Sequence, residues 1–468
     1  MIAGLKPYAE YTDSGHDWLG ALPAHWDQSR AKRLFREVDE RSKTGKEELL
    51  SVSHLTGVTP RRLKTVTMFL AESNVGHKVC RPGDLVINTL WAWMAALGVT
   101  KHIGIVSPAY GVYRPTDGGG ILPTYADHLL RTPLYAAEYQ RRSTGVNSSR
   151  LRLYPEQFLR IPILVPPKDE QAAVVRLLDW ANGRLERAIR AKRKVIALLL
   201  EQKQAIVQRA VTRGLDPSVP LKPSGIPWLG DIPQHWAVMP LKFLCRRIQN
   251  GATPATSEQR YYENGTVPWF GPSSINNSSE LGNPVRHLAK ITFADGKARL
   301  INGPAVLVIV IGATAGKMCL LLGDGATNQQ ITAFELKPDR IAPQFGIQQL
   351  RFSEHWLKST ASTATIPILN SGVVNRLPLA FPPVGEQESI LSALLNETLP
   401  LTTAISRLER EIELLREYRI RLIADVVTGK LDARETAARL PEDSAQAIEA
   451  EAADEADDPE LTDEETEA

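Results

Sequence analysis

At 468 residues and 43% hydrophobic content, the chain is long enough for two or three globular cores. No stretch reaches the roughly 18 consecutive apolar residues of a membrane span, and the N-terminal MIAGLKPYAEY lacks the apolar core of a signal peptide, so a cytoplasmic protein is expected. The net charge of +2 hides an asymmetry: Glu435–Ala468 carries 14 acidic residues against Arg439 alone, and setting that −13 aside leaves +15 on residues 1–434.

A body of that charge suits nucleic acid, although many basic enzymes bind none. Three scattered cysteines, Cys80, Cys245 and Cys319, form no C-x-x-C pair, which points to a reducing compartment and no cysteine-based zinc site.

In chain order, residues 1–26 form a first conserved segment ending in SGHDWLGALPAHW (Ser14–Trp26). That stretch returns without a gap as SGIPWLGDIPQHW (Ser224–Trp236), and ten of 21 positions of Ser14–Leu34 are identical in Ser224–Leu244, at an offset of 210. Residues 27–160 follow as a mixed α/β domain holding DLVINTLWAWMAALGV (Asp84–Val99) and IGIVSPAYGVY (Ile103–Tyr113), apolar runs cut by glycine and proline.

Residues 161–235 carry IPILVPPKDEQ (Ile161–Gln171), a long helix and the closing AVTRGLD (Ala210–Asp216). A second mixed domain, residues 236–376, contains AVLVIVIGATAGKMCLLL (Ala305–Leu322) and ITAFELK (Ile331–Lys337). Residues 377–433 repeat the frame at an offset of 216: LPLAFPPVGEQ (Leu377–Gln387), a second long helix and VVTGKLD (Val426–Asp432). Residues 434–468 read as an acidic tail, low in aromatic and β-branched residues and expected to be disordered.

The proline pairs Pro166–Pro167 and Pro382–Pro383 stop what precedes them, and Glu170 and Glu386 fall in first turns, where a carboxylate suits the helix dipole. In the second helix Leu401, Ile405, Leu408, Ile412, Leu415, Leu422 and Val426 keep a heptad seam broken at Arg419. The first helix shows the same register in Leu185, Ile189, Ile196, Leu199, Ile206 and Ala210, with Lys203 opposite the Arg419 position and Lys192 in an apolar slot. Two matching stripes are buried most simply against each other, as an antiparallel coiled coil.

The expected fold is therefore α+β: two mixed domains joined by two long antiparallel helices, related by a pseudo-two-fold repeat. The N-terminal segment should then lie beside the end of the second helix.

Catalytic motifs are missing. GATAGKM (Gly312–Met318) has three residues between Gly and Gly-Lys, and Met follows, so it fails as a phosphate loop and reads as a strand–turn–strand bearing an exposed lysine. His25 and His235 stand beside tryptophans at equivalent scaffold positions, and no histidine has metal-ligand spacing. No G-x-S-x-G, H-E-x-x-H or G-x-G-x-x-G occurs.

The side chains suited to reading bases or phosphates are polar and aromatic residues beside glycines. In the first mixed domain they are Asn88, Thr89, Trp91, Trp93, Ser143, Asn147 and Ser148. In the second they are Thr253, Thr256, Tyr261, Tyr262, Trp269, Lys317, Asn328, Gln329, Gln330, Asn370 and Ser371. Amides fit adenine edges, lysine fits guanine or phosphate, and hydroxyls fit either. For each residue taken singly, a loop or core position is the competing reading.

SGHDWLGALPAHW with its copy, VPPKDEQ with FPPVGEQ, and AVTRGLD with VVTGKLD resemble the specificity subunit of a type I restriction-modification enzyme. RPGDLVINTLWAWMAALGV with GIVSPAY, and IGATAGKM with ATNQQ, resemble its target recognition domains. The resemblance implies that residues 27–160 and 236–376 each read one half of a bipartite double-stranded DNA target. It further implies that the seam positions hold the helix pair and dock partners. Those partners would be two modification methyltransferase subunits that use S-adenosylmethionine, and restriction/translocase subunits that use ATP and magnesium. This chain would then bind no cofactor or metal and perform no catalysis. A stand-alone DNA-binding regulator or anti-restriction decoy, and a coiled-coil adaptor, are the rival classes.

Overall fold

Both long helices begin directly after a proline pair, where a missing N–H costs the first turn nothing. In the computed structural model they span Lys168–Arg213, 46 residues, and Val384–Val427, 44 residues. The structure describes residues 4–64, 73–145, 151–226, 229–276, 280–354, 356–357, 369 and 371–441. They belong to two units, one built from Met1–Arg193 with Glu409–Ala468 and the other from Lys194–Leu408. Each unit therefore contains the start of one long helix and the end of the other.

In the first unit Arg419 donates to Glu186, and Lys192 donates to Glu411. Partner numbers fall on one helix as they rise on the other, so the pair runs antiparallel there. In the second unit Lys203 Nζ donates to Thr402 Oγ1 at 3.0 Å. Moved by the 216-residue offset, Glu186 and Lys203 fall on Thr402 and Arg419, so one polar pair occurs in both copies. The breaks in the apolar seam are thus matched cross-helix contacts. Ile189, Ile405, Ile412, Leu422 and Val426 are buried, while Leu185, Ile196, Leu199, Ile206, Leu408 and Leu415 are half-buried.

The two mixed domains share little sequence but one topology. In the first unit a four-stranded antiparallel sheet runs Phe35–Glu37, Gly111–Pro115, Leu85–Ile87, Leu97–Val99. In the second unit the order is Cys245–Asn250, Ile331–Leu336, Ala305–Ile309, Met318–Leu321. Strands Leu85–Ile87 and Ala305–Ile309 are buried along their whole length, which explains why they read as unbroken apolar runs rather than alternating ones.

Helices Pro123–Leu130, Pro133–Arg142 and Pro155–Phe158 each start on a proline, and Tyr125, Tyr135, Tyr139 and Phe158 fill the first core. The second core is built on Trp236, Phe334 and Phe345.

Entry to each mixed domain pairs with its exit. Asp27–Arg30 lies antiparallel to Pro162–Val165, and Ala237–Pro240 lies antiparallel to Pro378–Phe381.

The N-terminal segment meets the end of the second helix within the first unit. The Asp432 amide donates to the Lys6 carbonyl at 2.8 Å, and Tyr11 Oη donates to the carbonyls of Gly429 and Lys430, each at 3.2 Å. The acidic segment is ordered further than its composition implies: Arg434–Ala438 is a short helix whose Ala437 is buried in the first core, and Arg176 donates to the Leu440 carbonyl. Residues 442–468 lie outside the described residues.

All three cysteines are buried and unpaired, and burial pushes each thiol up to about 12. Iodoacetamide at neutral pH should therefore leave the native chain unlabelled and add three groups only after denaturation. Labelling of any cysteine at the rate of a free thiol would contradict this packing.

Candidate nucleic-acid interface

The repeated frame motifs fold into one latch per unit. In the first, Glu170 accepts from Trp26 Nε1 at 2.9 Å and from Tyr8 Oη, and its other oxygen lies 2.8 Å from His25 Nε2. In the second, Glu386 accepts from Trp236 Nε1 at 3.0 Å and lies 2.7 Å from His235 Nε2.

The neighbouring glutamines repeat as closely. Gln171 accepts from the Leu122 amide at 2.7 Å and donates to the Gly120 and Pro166 carbonyls; Gln387 accepts from the Ala342 amide at 2.7 Å and donates to Arg340 and Pro382.

The far ends of the helices match too. Tyr125 Oη caps the Val427 carbonyl at 3.1 Å, and Gln349 Nε2 caps the equivalent Val211 carbonyl, so an orphan helix-terminal acceptor is satisfied in each unit.

The copies differ in closure. Glu170 is 3% exposed and Glu386 33%. Tyr8 covers the first carboxylate, and burial, then the Glu170 bond, drives its hydroxyl pKa well up. Arg434 lies over the Tyr8 ring and bonds Asp432; partial burial pushes that carboxyl up, but the side-chain and backbone hydrogen bonds from Arg434 and its charge together hold it below the usual range.

These latches orient the sheets, and several of the candidate polar and aromatic residues lie at one sheet end in each unit. In the first, chain leaving Leu85–Ile87 passes through Asn88 and Thr89 to Trp91 and Trp93. Asn88 and Thr89 are buried: Asn88 Nδ2 donates to Tyr110 Oη at 3.1 Å and Thr89 Oγ1 to the Ala109 carbonyl at 2.9 Å. They build the platform, whereas Trp91 and Trp93 stack on each other with centroids 6.1 Å apart and planes at 18°. Ser143 ends the helix Pro133–Arg142 and donates to the Tyr139 carbonyl. Asn147 and Ser148 lie outside the described residues.

In the second unit the equivalent end is an amide cluster. Thr253 Oγ1 donates to Gln329 Oε1 at 2.5 Å, Asn328 Nδ2 donates to Gln330 Oε1 at 2.9 Å, and Thr332 Oγ1 donates to Asn250 Oδ1 at 2.7 Å. Gly251 lets two backbones meet there: a Cβ would lie 2.2 Å from the carbonyl oxygens of Thr327 and Asn328.

Gly312–Lys317 forms the expected turn between paired strands, and Gly312 takes a φ of 112°. Lys317 is half-buried rather than exposed, because the Ile309 amide donates to its carbonyl and draws it toward the sheet. Trp269 is buried beside the cluster and donates to the Ala252 carbonyl at 3.1 Å.

Thr256 is exposed three residues beyond Thr253 on the same loop. Tyr261 is buried against Lys290–Ala294, its hydroxyl 3.3 Å from Asp295, and Tyr262 donates to the Pro254 carbonyl. Asn370 lies outside the described residues, and Ser371 opens the short helix Ser371–Asn375.

The same return strap holds both sheet ends: the Leu153 amide donates to Thr89 O at 2.9 Å, and the Leu369 amide, 216 residues on, donates to Val310 O at 2.8 Å. Tyr110, Leu153 and Leu369 carry no polar or charge pattern that singles them out in the sequence. The latch had a legible sign, since His-Trp and Glu-Gln recur together in both copies.

Among the described residues no three His, Cys, Asp or Glu side chains could hold a metal ion. Nor is any described helix long and apolar enough to cross a membrane.

Residues 233–414 match the family described as the type I restriction modification DNA specificity domain. A 91-residue stretch is 29% identical to the Type I restriction enzyme EcoprrI specificity subunit of Escherichia coli, covering 19% of this chain and 22% of that relative. In fold, the chain is similar to one in a structure concerned with complex assembly and conformational transition of the type I R-M system: TM-score 0.64, 15% identity, 87% of this chain and 98% of the other. It also aligns over 87% of its length, and 98% of the other, with the HsdS subunit from Thermoanaerobacter tengcongensis, at 15% identity and TM-score 0.46. The resemblance read from the repeated motifs is thus met again in family, sequence and fold.

Proposed function

We propose that this chain, which carries a type I restriction-modification DNA specificity domain at residues 233–414, reads a split DNA target with one half-site per mixed domain. The observation that carries this reading is the pair of sheet ends, strapped alike by Leu153 and Leu369 but furnished differently, with stacked indoles at one and amides at the other. A duplicated mount with unlike contents suits two different half-sites on one duplex.

The +15 body supplies sequence-independent phosphate attraction, and a target split between two readers leaves the bases between the half-sites unread. Exposed Val195, Leu198, Leu200, Leu395 and Leu399 in the second unit, with Leu414 and Ile420 in the first, offer apolar helix surface for two modification subunits and for restriction/translocase subunits. S-adenosylmethionine, ATP and magnesium belong to those partners, and this chain itself is not catalytic.

Mapping methylated adenines in the native genome tests the reading. A two-part motif with a constant gap should be modified in cells with this chain and unmodified when it is deleted. An unchanged methylation map would reject the assignment and leave the adaptor class standing.

A further inference from the structure

The sheet end of the first unit carries an exposed aromatic surface that the described residues of its counterpart lack. Trp91 is 40% exposed, with Leu90 beside it and with one indole face covered by Trp93. A half-exposed tryptophan on a well-ordered turn leaves a large π-face in water, the group that gains most from a flat partner.

The turn is fixed from several sides. The amides of Trp91 and Met94 donate to Asn88 and Trp91 carbonyls, Trp93 Nε1 donates to the Leu90 carbonyl at 3.1 Å, and Ala95 closes the turn at a φ of 59°, a left-handed conformation unusual for alanine. Helix Pro133–Arg142 packs against it, and Ala92 is fully buried underneath.

The surroundings are basic. Arg141 and Arg142, at the end of that helix, share the single carboxylate of Glu138, leaving one positive charge uncompensated. The strap at Leu153 adds Arg152, whose guanidinium lies over the exposed Tyr154 ring at 6.0 Å. At the corresponding exit of the second unit, Val310–Lys317 offers no aromatic side chain.

We infer that Trp91 is a stacking residue of the first reader: it takes an unstacked base of the first half-site on its open face, with Trp93 as the rigid backing. A π-face accepts any base, and neighbouring arginines hold the adjoining phosphates, so this reader distorts its half-site while the second reads a stacked duplex through amides. The inference rests on the DNA-reading assignment above.

The full chain, purified from its own cells with its bound subunits, is tested by selection from a randomised duplex library. Wild type should enrich two separated segments. Trp91→Ala and Trp91→Leu should weaken enrichment of the first segment about tenfold, Trp91→Phe by only about threefold, and none should alter the second. An abasic scan across the first segment should find one position at which losing the base weakens binding by the wild-type and Phe chains and leaves the Leu chain unaffected.

The second segment serves as the folding control inside each sample. Equal enrichment by the Ala variant and wild type, or an abasic position that costs the Leu chain as much as wild type, overturns the stacking role while DNA reading stands. A wild-type complex that enriches no sequence removes the DNA-reading assignment, and this inference with it.

Discussion

Replacing Glu170 by alanine is expected to destabilise the first unit by about 3–5 kcal/mol, with the second unit unaffected. The carboxylate is 3% exposed and receives Trp26 Nε1 and Tyr8 Oη, with His25 Nε2 on its other oxygen. Removing it strands two buried donors, each costing about 1–3 kcal/mol, and opens a small void under Trp26.

The matched change Glu386→Ala is expected to cost only about 1–2 kcal/mol, because water reaches a carboxylate that is 33% exposed and can replace what is lost. Hydrogen exchange read by mass spectrometry separates the units. Faster exchange should appear in helix Pro123–Leu130 and the Leu85–Ile87 sheet for the first variant, and around Trp236 and Phe345 for the second. Equal losses in the two variants would mean that the closure by Tyr8 and Arg434 contributes nothing.

Exchanging residues 27–160 for the corresponding block of a relative is expected to change one half of the methylated motif and leave the other half and the gap intact. The physical ground is the entry–exit pairing: Asp27–Arg30 lies against Pro162–Val165, so the block leaves and rejoins the scaffold at one place. The latch residues Trp26, Glu170 and Gln171 lie outside the exchanged block, and within it only the Gly120 and Leu122 backbone groups bond to Gln171. A relative that keeps those two backbone groups in place keeps the latch. Methylation mapping of the hybrid decides the matter, and a change in both halves would contradict the modular reading.

The helices were legible because their cues are local: a proline pair, a carboxylate one turn on, and a seam at 3-4 spacing. Lys203 and Arg419 could be matched by register, yet their partners Thr402 and Glu186 lie about 200 residues away and have no local sign. Glu170 illustrates the same limit. Its first-turn position explains a preference for a carboxylate, but its donors come from a segment more than 140 residues earlier.

At the candidate interface, short polar residues misled most. Asn88 and Thr89 look like loop readers by type, but they sit at a buried strand exit where Tyr110 and the Ala109 carbonyl take up their hydrogen bonds. The equal strand order of the two sheets left no mark in the sequence, since burial on both faces asks only for apolar residues and not for the same ones.

The division of the chain also dictates an order of assembly on the ribosome. Lys194–Leu408 is one uninterrupted stretch, whereas the other unit needs Glu409 onward to join what was made first. Synthesis therefore finishes the middle before either end can be completed. Until then the surfaces of Leu177, Leu178 and Ala181 that await Leu422 and Val426 stay uncovered, so the earliest-made portion is the last to close.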